Sequence, residues 1–168
     1  MARTLKIYDM KKINASDVPR ADFKSPKGIF ELKRQHLSLA LGGVKDQGTF
    51  GGGHPFDVEL SELPPGKKNY PLHAHAAQWE YYIFLSGSGV MWNESDEPTE
   101  VIAGDHLICP PGDAHQLENT GDTPLQYFVI ADHHPADVTR YPKTGKRHIK
   151  PEFRVVQTED VDYFEGEE

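Results

Sequence analysis

Long apolar runs, cysteine pairs and an excess of basic residues are all missing from this chain. No stretch approaches the ~20 consecutive apolar residues needed to cross a bilayer, so a membrane-spanning helix is not expected. The single cysteine, Cys109, forms no internal disulfide, in keeping with a reducing compartment. Flanked by Ile108 and Pro110, it reads as a buried inert thiol rather than a nucleophile. Lys and Arg number 18 against 26 Asp and Glu, a net charge of −8, so the concentrated basic surface that nucleic acid requires is lacking. The opening MARTLKIYDMKK has no apolar segment followed by a small-residue cleavage site. No P-loop, dinucleotide fingerprint or Ser-His-Asp order is visible. These absences lead to the expectation of a cytoplasmic protein whose partners are small molecules and proteins, not nucleic acid or membrane.

What is present fits one domain. A chain of 168 residues is long enough for one well-formed core and short for two. Residues 1–35, with Pro19 and Pro26 and little periodicity, read as an extended N-terminal arm. Leu37, Leu39 and Leu41 alternate with polar or small residues and predict a strand closed by Gly42 and Gly43. Phe56 to Leu63 alternates more clearly and stops at Pro64-Pro65-Gly66. Further strands are expected at 70–75, 79–85, 89–92, 100–103, 106–109, 115–119 and 125–131. Glycine, proline and asparagine turns separate them every eight to twelve residues, with almost no helical period, which argues an all-β sandwich or barrel over 36–135. Residues 136–168 turn polar and proline-marked and predict an irregular extension packed on the barrel or frayed, with one short strand at 153–157.

Two blocks carry the chemistry. In GKKNYPLHAHAAQWEYYIFLSG (66–87), His73 and His75 are two positions apart, so on a strand both imidazoles project from one face. Glu80 lies five positions beyond His75, an odd spacing that sends it to the opposite face of a straight strand. Convergence of the three therefore demands a bend or bulge at Ala76-Ala77-Gln78. In GDHLICPPGDAHQLEN (104–119), His115 follows a Pro-Pro-Gly turn and can join them from a neighbouring strand. Three imidazoles and one carboxylate suit one divalent transition metal, Fe, Mn, Co, Ni, Cu or Zn, better than Ca or Mg, which prefer all-oxygen shells.

Both blocks resemble the two motifs of the cupin superfamily. The first is met by Gly66, His73, His75, Glu80 and Gly87, with a spacer one residue longer than usual after Gly66. The second is met by Gly104, Pro110, Gly112, His115 and Asn119. The resemblance covers roughly residues 56–131 and implies a double-stranded β-helix with a metal inside it, held by His73, His75, Glu80 and His115. It also implies a homodimer, with the N-terminal arm as the interfacial element. The C-terminal segment is similar to that of small bacterial cupins, some of which carry sugar phosphate isomerase-like labels.

Period-two alternation from Glu80 sends Tyr82 and Phe84 inward, and the same rule places Leu117 and Asn119 with His115; all four are expected to line the cavity. Tyr82 is the candidate acid or orienting phenol. On the strand 125–131 the alternation leaves both faces open. Arg140, Lys143, Lys146, Arg147 and Lys150 could reach an anionic substrate if their segment folds over the barrel mouth. The functional expectation is a metal-dependent enzyme, of isomerase or lyase type, on a small oxygenated metabolite such as a sugar phosphate or oxo-acid. The alternatives are an Fe(II) dioxygenase and a non-enzymatic binding or sensing module.

Overall fold

The computed structural model describes residues 9–168, and these fold into an almost entirely β structure. Thirteen strands run β1 (Ala21–Lys24), β2 (Glu31–His36), β3 (Phe56–Leu63), β4 (Ala74–His75), β5 (Glu80–Ser86), β6 (Ser88–Trp92), β7 (Pro98–Ile102), β8 (His106–Cys109), β9 (Gln116–Glu118), β10 (Leu125–Asp132), β11 (Val138–Tyr141), β12 (Lys146–Ile149) and β13 (Arg154–Gln157). Three antiparallel sheets result, ordered β1-β2-β3-β10-β5-β8, β13-β12-β11-β4 and β7-β6-β9. The architecture is a double-stranded β-helix.

The sheet register decides what faces inward. Tyr127 pairs with Phe84 and Ser61, and Val129 pairs with Tyr82 and Glu59, so Tyr127 and Val129 occupy the inner face of β10 and settle the choice that alternation left open. Leu32, Leu63, Tyr82, Phe84, Met91, Val101, Leu117, Leu125 and Tyr127 form the buried core. Each such side chain stabilises the fold by roughly 1.5–3 kcal/mol through burial. Gly87, between β5 and β6, has φ +80°, and a Cβ there would lie 2.7 Å from the Pro124 carbonyl oxygen. Only glycine accepts both conditions.

Three expectations need correction. The strand read at 37–41 is a single turn of helix, Leu37–Ala40; the strand lies just before it, at Glu31–His36. Its alternation was disguised because Arg34 and His36, not aliphatic residues, share a face with Leu32; Arg34 lines a cavity and His36 lies 2.7 Å from Glu59. Residues 21–36 therefore extend the main sheet as a hairpin. The segment from 138 to 149, read as irregular, is the hairpin β11–β12. Its side chains are polar because pairing, not deep burial, holds most of it.

Candidate metal centre

His73 is joined to His115 by a pair of backbone hydrogen bonds, His73 N to His115 O at 3.2 Å and His115 N to His73 O at 2.8 Å. Gly112 N donates to His75 O at 2.8 Å, so the turn before His115 docks on the His73–His75 segment. The sequence bend at 76–78 is present: β4 ends at His75 and β5 begins at Glu80, with bends at Ala76 and Ala77. It turns Glu80 back toward the histidines. One ligand atom each from His73, His75 and Glu80 lie within 4.8 Å of one another. His115 Nε2 lies 2.9 Å from Glu80 Oε2, and its ring centroid is 4.6 Å from that of His73.

The distal nitrogens of all three imidazoles are tied down. His73 Nδ1 meets Pro71 O at 2.9 Å and His115 Nδ1 meets Asp113 O at 3.1 Å. A carbonyl oxygen only accepts, so each Nδ1 carries hydrogen and donates. His75 Nδ1–H donates to Asp137 Oδ2 at 2.6 Å, with Thr139 Oγ1 at 3.3 Å. This leaves Nε2 of each ring as the atom available to a metal, the arrangement in which an outer acceptor fixes ring and tautomer. The donor set, three Nε2 atoms and a carboxylate, fits a divalent transition metal.

The charges of the metal-free site follow from this packing. Burial and the neighbouring His115 hold His73 at a pKa of about 4, so it stays neutral. Burial opposes protonation of His75, but Asp137 and Glu80 outweigh it and raise its pKa to about 9. Burial likewise opposes protonation of His115, while Cys109 and Glu80 raise its pKa to about 10. Burial alone would raise Glu80; hydrogen bonds from His115 and His75 instead hold it well below the carboxylate range. A divalent metal held by these residues would take the place of protons on Nε2 of His75 and His115.

Tyr82 is 2% exposed, and its O–H donates to Glu80 Oε2 at 2.7 Å. Burial and the Glu80 charge push its pKa well above the ordinary phenol value, so it remains a hydrogen-bond donor that orients the carboxylate. Phe84, Leu117 and Asn119 were expected on the cavity wall and lie behind it. Phe84 and Leu117 belong to the core, and Asn119 is fully buried, with Nδ2 donating to Leu63 O at 2.7 Å and Thr123 O at 2.9 Å. The alternation rule sent them inward but did not give their depth, since they sit where the barrel is filled.

The cavity lined by His73, His75 and Glu80 has a volume of about 400 Å3. Tyr70, Gln78, Tyr82, Tyr127, Thr139 and Tyr141 are among its walls. Asp137 is the chief site residue that sequence reasoning missed. It is fully buried, and its second oxygen accepts from Ala77 N at 2.9 Å, so one carboxylate pins both His75 and the bend after it. Of the five cationic residues suggested for an anion, Arg140 pairs with Glu94 at 2.6 Å and Lys143 with Asp96 at 2.6 Å on the surface. Lys150 alone of them lines the cavity. The cavity also holds Arg34, which the strand misreading had hidden.

Residues 59–131 match the family model described as the Cupin domain. The chain carries a cupin domain. Over 69 residues this cupin is 35% identical to an oxalate-binding protein of Thermotoga maritima, an alignment covering 41% of this chain and 55% of that one. It is 29% identical over 139 residues to auxin-binding protein 1 of Arabidopsis thaliana, covering 76% of this chain and 62% of that one. The cupin thus spans between half and two thirds of the length of these curated relatives. A solved sugar phosphate isomerase of the cupin superfamily from Silicibacter pomeroyi superposes with a TM-score of 0.70 at 20% identity, covering 91% of this chain and 98% of that one. At that identity the likeness speaks for the fold.

Proposed function

We propose that this cupin is a divalent-metal-dependent enzyme acting on a small oxygenated metabolite such as a sugar phosphate or oxo-acid, with isomerase or lyase chemistry. The observation that supports the reading is the anchoring of all three Nδ1 atoms, which leaves the three Nε2 atoms available: His73, His75 and Glu80 offer ligand atoms within 4.8 Å of one another on a 400 Å3 cavity, and His115 Nε2 lies 2.9 Å from Glu80. His73, His75, Glu80 and His115 would hold the metal. A bound divalent ion supplies Lewis acidity toward a carbonyl or hydroxyl oxygen. The chain's own part is positional: Asp137 holds His75, Tyr82 holds Glu80, and the aromatic walls restrict water. The solved sugar phosphate isomerase of similar fold adds support to that substrate class. Turnover of a panel of sugar phosphates and oxo-acids by metal-loaded protein tests it. Activity is expected from the wild type and its loss in His75→Ala; equal rates in both would sink the proposal.

A second reading, a non-enzymatic binding module, is supported by the two curated relatives that are named for binding oxalate and auxin. Mass spectrometry of a ligand recovered unchanged after long incubation favours it, and consumption of that ligand excludes it. For the homodimer, support comes from the outer face of the main sheet. Tyr81, Leu85 and Ile108 are exposed there beside half-buried Ile83, Phe128 and Ile130, an uncharged patch on a chain of net charge −8 where a second copy can approach without repulsion. Light scattering is expected to give twice the chain mass, and the monomer mass for Ile108→Lys; a wild-type monomer defeats the dimer.

A further inference from the structure

Unmet donors line the cavity. Two buried side-chain nitrogens, Arg34 Nε and Asn69 Nδ2, have no hydrogen-bond partner among the described residues, and both residues line the cavity. His133 Nε2, a third such nitrogen on the same wall, sits 3.1 Å from Asp57 Oδ2 without hydrogen-bond alignment. The orientation of Asn69 is fixed, because its Oδ1 accepts from Tyr70 N at 2.7 Å and Leu117 N at 3.0 Å. Its amide nitrogen can therefore only point away as a donor. Native proteins rarely leave buried donors unmatched, and a cluster of them on one cavity calls for an acceptor.

Arg34 pairs with Ser61 across β2 and β3, in the row that faces Tyr127 and the barrel interior. Its Nη1 donates to the Tyr70 hydroxyl at 2.8 Å. Tyr70 in turn packs edge-on against His73, with centroids 6.3 Å apart, so the guanidinium lies one tyrosine ring from the metal ligands. The Nε–Nη2 edge, the fork that grips carboxylate or phosphate in two parallel bonds, takes no bond from any described residue. Two carboxylates of this cavity are engaged elsewhere, Glu59 with His36 at 2.7 Å and only distantly with Arg34 at 3.7 Å, and Glu80 with His115 at 2.9 Å. Lys150 donates to Gln78 Oε1 at 3.2 Å and has no carboxylate partner among the described residues.

We propose that Arg34, with Tyr70 and Asn69 beside it, is an anion subsite that takes the terminal carboxylate or phosphate of the substrate while its oxygen functions face the histidines. The inference rests on the metal-dependent reading and narrows its substrate class to small oxygenated anions with one terminal acidic group. The specificity residue is one that no metal motif contains.

Calorimetric titration with glycerol, glycerate and glycerol 3-phosphate tests it, because these share a three-carbon skeleton and differ in the anionic group. Each is added to metal-free protein and to Zn-loaded protein, with zinc content measured in parallel. The wild type is expected to bind at least one of the two anions and not glycerol, and the anion that binds distinguishes carboxylate from phosphate recognition. Arg34→Gln is expected to weaken that binding about tenfold or more, with zinc content unchanged, and Arg34→Lys to fall between. Should Arg34→Gln fail to fold by circular dichroism, Arg34→Lys carries the comparison. Binding of neither anion to the wild type, or anion binding unchanged in a folded Arg34 variant, overturns the subsite. Arg34-dependent binding to a protein that takes up no zinc would leave the subsite standing and remove the metal reading instead.

Discussion

Asp137 joins two parts of the chain that lie far apart in sequence, accepting from His75 Nδ1 with one oxygen and from Ala77 N with the other. Asp137→Asn retains the shape but gives a weaker acceptor for His75, and divalent metal affinity is expected to fall about 10–100-fold by calorimetry. Nothing in the sequence announces this residue, since its 62-residue separation from His75 belongs to no motif and the polar run around it gives no burial signal. The candidate ligands were legible because three of them fall within eight positions and the parity of two spacings forces the bend between them. Tyr82→Phe removes the 2.7 Å donor to Glu80. Thermal unfolding is expected to show a loss of about 1–2 kcal/mol, with metal stoichiometry kept. An unchanged stability would mean that the phenol does not orient the carboxylate.

At the scale of elements, the strands β3, β5, β6, β8 and β10 were readable because one face is buried and period-two alternation survives in them. The hairpin β11–β12 was not, because Pro142 and Gly145 mark its turn while Thr139 and Arg140 owe their place to pairing with His75 and Ala74. This short ladder carries Asp137 to His75 and Ala77, so the C-terminal extension supports the candidate site rather than ornamenting the barrel. β2 was misplaced by a few residues because the row it shares with Leu32 continues as Arg34 and His36, of which Arg34 lines the cavity. The tight junction of β5 and β6 makes its own prediction. Gly87→Ala combines φ +80° with a carbonyl 2.7 Å from the new Cβ, and a loss of about 1–3 kcal/mol is expected in urea unfolding.

For the molecule as a whole, the Asp137–His75 pair ties stability to pH in the metal-free state. Asp137, lowered to about 2 from 3.8 although burial opposes this, because His75 lies beside it, contributes stability that is complete above its unfolded value and fades as pH falls toward 2. His75, raised to about 9 from 6.5, contributes stability that is complete below its unfolded value and fades as pH rises through 9. With a chelator present, the gap in urea midpoint between wild type and Asp137→Asn is therefore expected to be widest between about pH 4 and 6.5 and to narrow on both sides. A gap independent of pH would show that the pair is not ionised as described. Added metal replaces the shared protons and should flatten the alkaline limb.

The central claim is that four residues, His73, His75, Glu80 and His115, hold one divalent metal in this barrel. Elemental analysis of protein purified without a chelating tag, paired with metal titration of the chelator-stripped form, tests it most directly. About one transition metal ion per chain is expected for the wild type, with uptake abolished in His75→Ala and His115→Ala variants that still fold. A wild-type protein that takes up no divalent metal, or variants that bind it as well as the wild type, would contradict the account.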